Sequence, residues 1–128
     1  MNRLYQKLKT VPPGIMFQSV RLTEDENIEI FPGYCYGDQT SIVINISESG
    51  QKWILSDGGR TRDCMDREFE LKAPDVIKNI LILAGYYGVS TADQRLSLVI
   101  ETPDQFAEGY YTLLACINSL DSMKNFYR

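Results

Sequence analysis

Chemistry in this 128-residue chain begins with the side chains able to move protons or hold ions, and the first candidates are Asp57 and Asp38. Asp57 opens the run Asp57-Gly58-Gly59-Arg60-Thr61 where a strand-like pattern stops. Two carboxylates meeting at a strand end could hold a divalent cation, as in a metal-dependent nuclease or phosphoesterase. The same run also has a structural reading, in which Asp57 forms an Asx-type turn that accepts the amides of residues 59–61 while Gly58 and Gly59 take positive φ. The metal reading lacks its usual company. No Glu-x-Lys pair stands nearby, and Lys52 lies on the wrong side of the turn. Nor is Gly58-Gly59-Arg60-Thr61 a Walker-type phosphate loop: the lysine and the glycine spacing are missing, and Asp57 and Asp63 would repel an anion. Arg60 fits better as an exposed anchor for a carboxylate on a partner protein.

Absent residue types narrow the field further. With no histidine the chain has no Ser/His/Asp or Cys/His nucleophile, no His-ligated metal and no imidazole proton shuttle. Cys35, Cys64 and Cys116 are odd in number and without CxxC spacing, so buried free thiols in a reducing compartment are expected, and with them a cytoplasmic location. No apolar run has the length of a membrane span, and the N-terminus lacks the apolar region of a secretion signal, so no membrane partner is expected. No cofactor is implied.

Binding chemistry remains. The net charge of −4 argues against direct gripping of nucleic-acid phosphates, which draws its affinity from Lys and Arg. That charge is unevenly spread: residues 1–22 carry Arg3, Lys7, Lys9 and Arg21 with no acid, whereas 23–51 carry Glu24, Asp25, Glu26, Glu29, Asp38 and Glu48 with no base. The cluster Glu24-Asp25-Glu26 would offer an acidic face to a basic partner. Eight tyrosines add Tyr34, Tyr36 and the pairs Tyr86-Tyr87 and Tyr110-Tyr111; adjacent aromatics on a helix cannot share one core, so one of each pair lies nearer the surface.

These residues need elements to position them. Leu4, Tyr5, Leu8 and Val11 predict a short amphipathic helix over 1–12, stopped at Pro12-Pro13-Gly14 and docking as a lid. A strand near 16–22, a turn at Glu24-Asp25-Glu26-Asn27 and a strand near 28–31 follow, ended by Pro32-Gly33. Thr40 to Ile46 alternates Ile42, Ile44 and Ile46 with Ser41, Val43 and Asn45, and Lys52 to Leu55 returns across a turn at 48–51, making a β-meander. Thr61 is expected to cap a short helix with Met65 and Phe69 facing inward. Pro74 opens a second helix whose wide stripe of Val76, Ile77, Ile80, Leu81 and Ala84 predicts a central position. Leu96, Leu98 and Ile100 read as a further strand. Thr102-Pro103-Asp104-Gln105 reads as an N-cap and capping box for a long terminal helix with Phe106, Tyr110, Leu113, Ile117 and Leu120 inside.

Gly37-Asp38, the alternating strand Ile42-Val43-Ile44 and the return Leu55-Ser56-Asp57-Gly58-Gly59-Arg60-Thr61 occur in an order that resembles the bacterial and phage family catalogued as domain of unknown function 1828. The similarity extends over roughly residues 15–127, through Gly88-Val89, Leu96 to Ile100 and the terminal helix. Longer members of that family carry a second domain beyond a segment resembling Asn125-Phe126-Tyr127, so the resemblance implies a stand-alone first module. The family has no established activity; its frequency in phages and mobile elements implies a role in conflict between phage and host.

The fold expected is a single α+β domain over 1–128, a two-layer sandwich in which an antiparallel meander plus one further strand is covered on one face by three to four helices. The function expected is non-enzymatic: binding of a host protein or nucleoprotein complex, as an inhibitor of a nucleic-acid-targeting defence system, through an acidic, tyrosine-bearing surface. Asp57, Gly58, Gly59, Arg60, Tyr34, Tyr36, Glu24, Asp25 and Glu26 are its candidate residues. The alternatives are a metal-dependent enzyme using Asp38 and Asp57, and an accessory module of a two-component system; the oligomeric state stays open.

Overall fold

The computed structural model describes residues 2–12, 14–68 and 74–123. Five strands form one antiparallel sheet in sequence order: β1 (Ser19–Leu22), β2 (Ile28–Phe31), β3 (Ile44–Ser49), β4 (Lys52–Ser56) and β5 (Ser97–Ile100). The register explains why the meander holds. Leu22 lies opposite Ile28, Ile28 opposite Ile46, Ile46 opposite Leu55 and Leu55 opposite Leu98, so one apolar row crosses all the strands. The rows Val20–Ile30–Ile44 and Trp53–Ile100 run beside it on the same face. A slip of one residue would turn these side chains out to water, so the register is strongly specified. The opposite face carries Arg21, Glu29, Asn45, Ser47 and Ser56, as an antiparallel sheet open to solvent on one side requires.

Four α-helices cover the apolar face: α1 (Asn2–Lys9), α2 (Arg60–Glu68), α3 (Pro74–Tyr86) and α4 (Phe106–Met123). The α+β two-layer arrangement is the one expected. The central helix, however, is α4 and not α3. It packs on β4 and β5 and against both α2 and α3, with Tyr110, Leu113, Cys116 and Ile117 fully buried. Gly109 sets its height over the sheet, because a Cβ there would stand 2.9 Å from Ile100 Cγ2 and from Leu98 Cδ1. Among the described side chains of helix α3, Val76, Ile80 and Ala84 are buried and Leu83 partly so, while Leu81, expected on its inner stripe, is half exposed. A single neighbouring layer covers a narrower arc than this helix's apolar residues span. Helix α1 docks on its own domain through Leu4 and Leu8, next to β1.

Two element ends differ from the sequence pattern. Strand β3 starts at Ile44, because residues 34–42 fold back on themselves: Ile42 N–H donates to Tyr34 O (3.0 Å) and Tyr36 N–H to Thr40 O (2.8 Å). Ile42 is therefore buried without belonging to the strand. The expected capping box is displaced by one residue. Thr102 makes no side-chain cap bond, and Gln105 Oε1 instead accepts the N–H of Glu101 at 2.7 Å, with a turn of 3-10 helix over Pro103–Gln105 leading into α4. Phe69 and Pro13 lie outside the described residues.

Candidate binding site

Asp57 closes β4 and faces inward. Its Oδ1 accepts the N–H groups of Gly59 (2.8 Å) and Leu96 (3.0 Å), and its Oδ2 accepts that of Thr61 (3.2 Å). The residue is wholly buried. Gly58 and Gly59 take φ of 67° and 83°, which lets the chain turn tightly enough for the carboxylate to reach back to these amides. At Gly58 a side chain would also meet Asn45 Nδ2 at 3.0 Å. Asp57 is thus an Asx turn and the cap of α2 at once. One sequence expectation is corrected here. The cap of α2 is Asp57, and Thr61 is a buried residue of the first turn. Both oxygens of Asp57, the carboxylate of the metal alternative, accept backbone N–H groups.

Asp38 also shapes the chain: its Oδ1 accepts the N–H of Thr40 (3.0 Å) and the Thr40 hydroxyl. Among the described residues no three Cys, Asp or Glu side chains converge where a metal ion could sit. The start of α2 offers no anion cradle either, since the amides of Gly59 and Thr61 bond the Asp57 carboxylate and that of Arg60 bonds the Asp57 carbonyl.

Tyr36 is a second correction to the expected surface. It is 1% exposed, with its hydroxyl 2.9 Å from Thr61 Oγ1. Burial pushes its phenol well above the ordinary tyrosine range, and the charge of Asp57 adds to the shift. Tyr36 is the peg that holds the 34–42 loop against the first turn of α2.

That peg leaves the rest of the loop outward. Tyr34 is 58% exposed, Cys35 is an exposed free thiol, and Arg60 projects from the start of α2. Two clefts adjoin here. One of about 350 Å3 is lined by Thr40, Ser41, Arg60, Asp63 and Cys64 above Tyr36. The other, of about 180 Å3, is lined by Gln18, Phe31, Tyr34, Cys35 and Ser41, so that Ser41 is shared by both. Tyr110 is buried and donates its hydroxyl to Met16 O at 3.1 Å, while its neighbour Tyr111 is half exposed. The pair Tyr86-Tyr87 divides likewise, with Tyr86 outward and Tyr87 bonded to Ser119.

The acidic turn stands elsewhere. Glu24, Asp25 and Glu26 are exposed at the tip of the β1–β2 hairpin, and Tyr34 follows the opposite end of β2. Four strand residues separate the two by roughly 13 Å along the strand. The acidic and tyrosine-bearing features are therefore two surfaces. Sequence reasoning missed Thr40, Ser41 and Asp63 as lining residues, since a back-folded loop leaves no periodic signal. It also missed the exposed stripe on α3, whose signal was an apolar arc too wide for one contact layer.

No described helix is long and apolar enough to cross a membrane. Compared with protein-family models, curated proteins and solved structures, the chain gives no match.

Proposed function

We propose that the chain is a non-enzymatic binding protein of a phage or mobile element, which engages a host protein through Tyr34, Arg60 and the two clefts joined at Ser41. One observation carries this reading: the carboxylate best placed for catalysis, Asp57, is sequestered by three backbone amides, while an aromatic and an arginine stand exposed beside concave surface. Tyrosine and arginine dominate binding energy at protein interfaces, because one buries a large rigid ring and the other pairs with a carboxylate through two parallel hydrogen bonds.

The partner class follows from charge and context. A net charge of −4 suits a protein or the protein part of a nucleoprotein complex rather than bare nucleic acid. The resemblance of Gly37-Asp38 and Leu55 to Thr61 to a phage-borne family supports a host defence complex as that partner. The acidic turn Glu24-Asp25-Glu26 acts as a steering charge away from the contact itself.

The test is a low-salt pull-down of the tagged chain from host lysate, with wild type beside a Tyr34→Ala, Arg60→Ala double variant. A stoichiometric protein held by wild type and lost by the double variant is the expected result, each truncation weakening binding by roughly 30-fold if it removes about 2 kcal/mol. Equal recovery on both would place the contact elsewhere, and recovery of nothing would remove the proposal.

A further inference from the structure

Lys78, Leu81, Ile82, Gly85 and Tyr86 follow the i, i+3, i+4, i+7, i+8 spacing of one stripe along α3, on the side away from buried Val76, Ile80 and Ala84. Leu81 is 50% exposed, Ile82 60% and Tyr86 81%. Tyr86 is held outward by its neighbour. Its ring meets that of Tyr87 edge-on at 5.2 Å, and Tyr87 is anchored to α4 through its hydroxyl bond to Ser119 at 2.9 Å. Beside Tyr87 lies a groove of about 300 Å3 between α4 and edge strand β5, lined by Leu98, Ile100, Gln105, Glu108 and Thr112.

Gly85 lies within this stripe and weakens the helix that contains it. Among the described residues nothing requires it, since a Cβ there would meet none of their atoms within 4 Å. A helix glycine with empty space above it permits another backbone to approach closely.

We propose that this stripe is a homodimer interface, in which α3 packs antiparallel on α3 of a second copy about a two-fold axis beside Ile82. The stripe is self-complementary in that arrangement. Ile82 meets its own counterpart at the axis with Leu81 beside it, and Lys78, the one charged residue of the five, falls opposite Tyr86 of the second copy, where an ammonium over a tyrosine face is attractive. The two Lys78 residues stand at opposite ends, about 12 Å apart along the helix axes, so like charges do not meet. The exposed fractions of Leu81, Ile82 and Tyr86 amount to on the order of 350–400 Å2 of surface per copy, about half of the ~800 Å2 that each partner buries in a standard interface, so the dimer is a weak one. The polar groove residues Gln105, Glu108 and Thr112, beside Tyr87, supply the rim. The stripe shares no residue with the clefts at Tyr34 and Arg60, so a dimer presents two copies of that surface.

Sedimentation equilibrium of the full chain, loaded from about 5 to 500 µM to bracket a weak dimer, tests this. The weight-average mass should rise with concentration from 14.6 kDa toward twice that value. Ile82→Glu, which sets two carboxylates against each other at the axis, should raise the dissociation constant about 100-fold without changing the thermal melt of the dilute monomer. Lys78→Arg should keep the dimer, and Lys78→Glu should weaken it by roughly tenfold. A mass fixed at 14.6 kDa over the whole range would overturn the proposal and leave the stripe to a different chain. Dimerisation of Ile82→Glu as tight as wild type would overturn it as well, by locating the contact off α3. A monomer that still captures a host protein through Tyr34 and Arg60 would sink the dimer alone.

Discussion

Asp57 Oδ1 accepts the backbone N–H of Leu96 at 3.0 Å, joining the end of β4 to the entry of β5 across 39 residues of chain. The reciprocal backbone bond, Asp57 N–H to Leu96 O at 3.1 Å, completes the pair. One side chain therefore ends a strand, starts a helix and fixes where the last strand joins the sheet. A residue type that draws attention as a catalyst is here a structural junction.

Replacing Asp57 should cost stability in proportion to the amides left without a partner. Asp57→Ala strands three N–H groups in the interior, and about 3 kcal/mol or more should be lost. Asp57→Asn keeps the shape and one acceptor oxygen but turns charge-assisted bonds into neutral ones, at a cost of about 1–3 kcal/mol. Urea unfolding measures both; an Asp57→Ala variant as stable as wild type would show that the junction carries no weight.

The hydroxyls of Tyr36 and Thr61 should be coupled. Tyr36→Phe leaves the buried Thr61 hydroxyl unpaired, and Thr61→Val leaves that of Tyr36, each costing about 1–3 kcal/mol. The double variant removes both polar groups and should be less destabilised than the sum of the two. A double-mutant cycle with an interaction energy near zero would contradict the bond.

The three cysteines should separate by reactivity. In the native chain a maleimide at mildly alkaline pH should label Cys35 and spare Cys64 and Cys116, whereas all three react after denaturation. Intact mass spectrometry reads the count directly. The outcome corrects the expectation from sequence that all the thiols are buried.

High pH should unfold the chain in part through Cys116. Burial, reinforced by the charge of Asp57, pushes this thiol from its ordinary value of 9.0 up to about 11. The native state keeps the proton that the unfolded state gives up, so stability is full below pH 9, falls as pH rises toward about 11 and flattens above it. The loss through this group is on the order of 2 kcal/mol. Buried Tyr36 and Tyr110, also raised by burial, act in the same direction at higher pH. Urea midpoints between pH 8 and 11 should fall less steeply in Cys116→Ala, and an unchanged slope would count against this origin.

Two helix glycines should respond oppositely to alanine. At Gly109 the new methyl would stand 2.9 Å from Ile100 Cγ2 and from Leu98 Cδ1, so overpacking outweighs the better helix propensity and the chain should lose about 1–2 kcal/mol. At Gly85 the space is open, and the monomer should gain about 0.5–1 kcal/mol. Urea titration at low protein concentration compares the two; equal effects would mean that α4 does not depend on its close approach to β5.

The sequence by itself determined which segments are strands and which are helices, because apolar periodicity is a local property that burial on one face imposes. The row Ile28, Ile46 and Leu55 and the helical series Phe106, Tyr110, Leu113, Ile117 and Leu120 were legible for that reason. Asp57-Gly58-Gly59 was legible as a turn, since positive φ and an Asx bond depend only on near neighbours. Long-range assignment was not legible. That Leu96 shares the Asp57 carboxylate, that Tyr36 points inward while Tyr34 points out, and that α4 displaces α3 from the centre all follow from contacts between residues far apart in the chain. Only the tertiary structure decided these, because which side of an apolar helix is covered, and which carboxylate is left for chemistry, depends on what packs beside it.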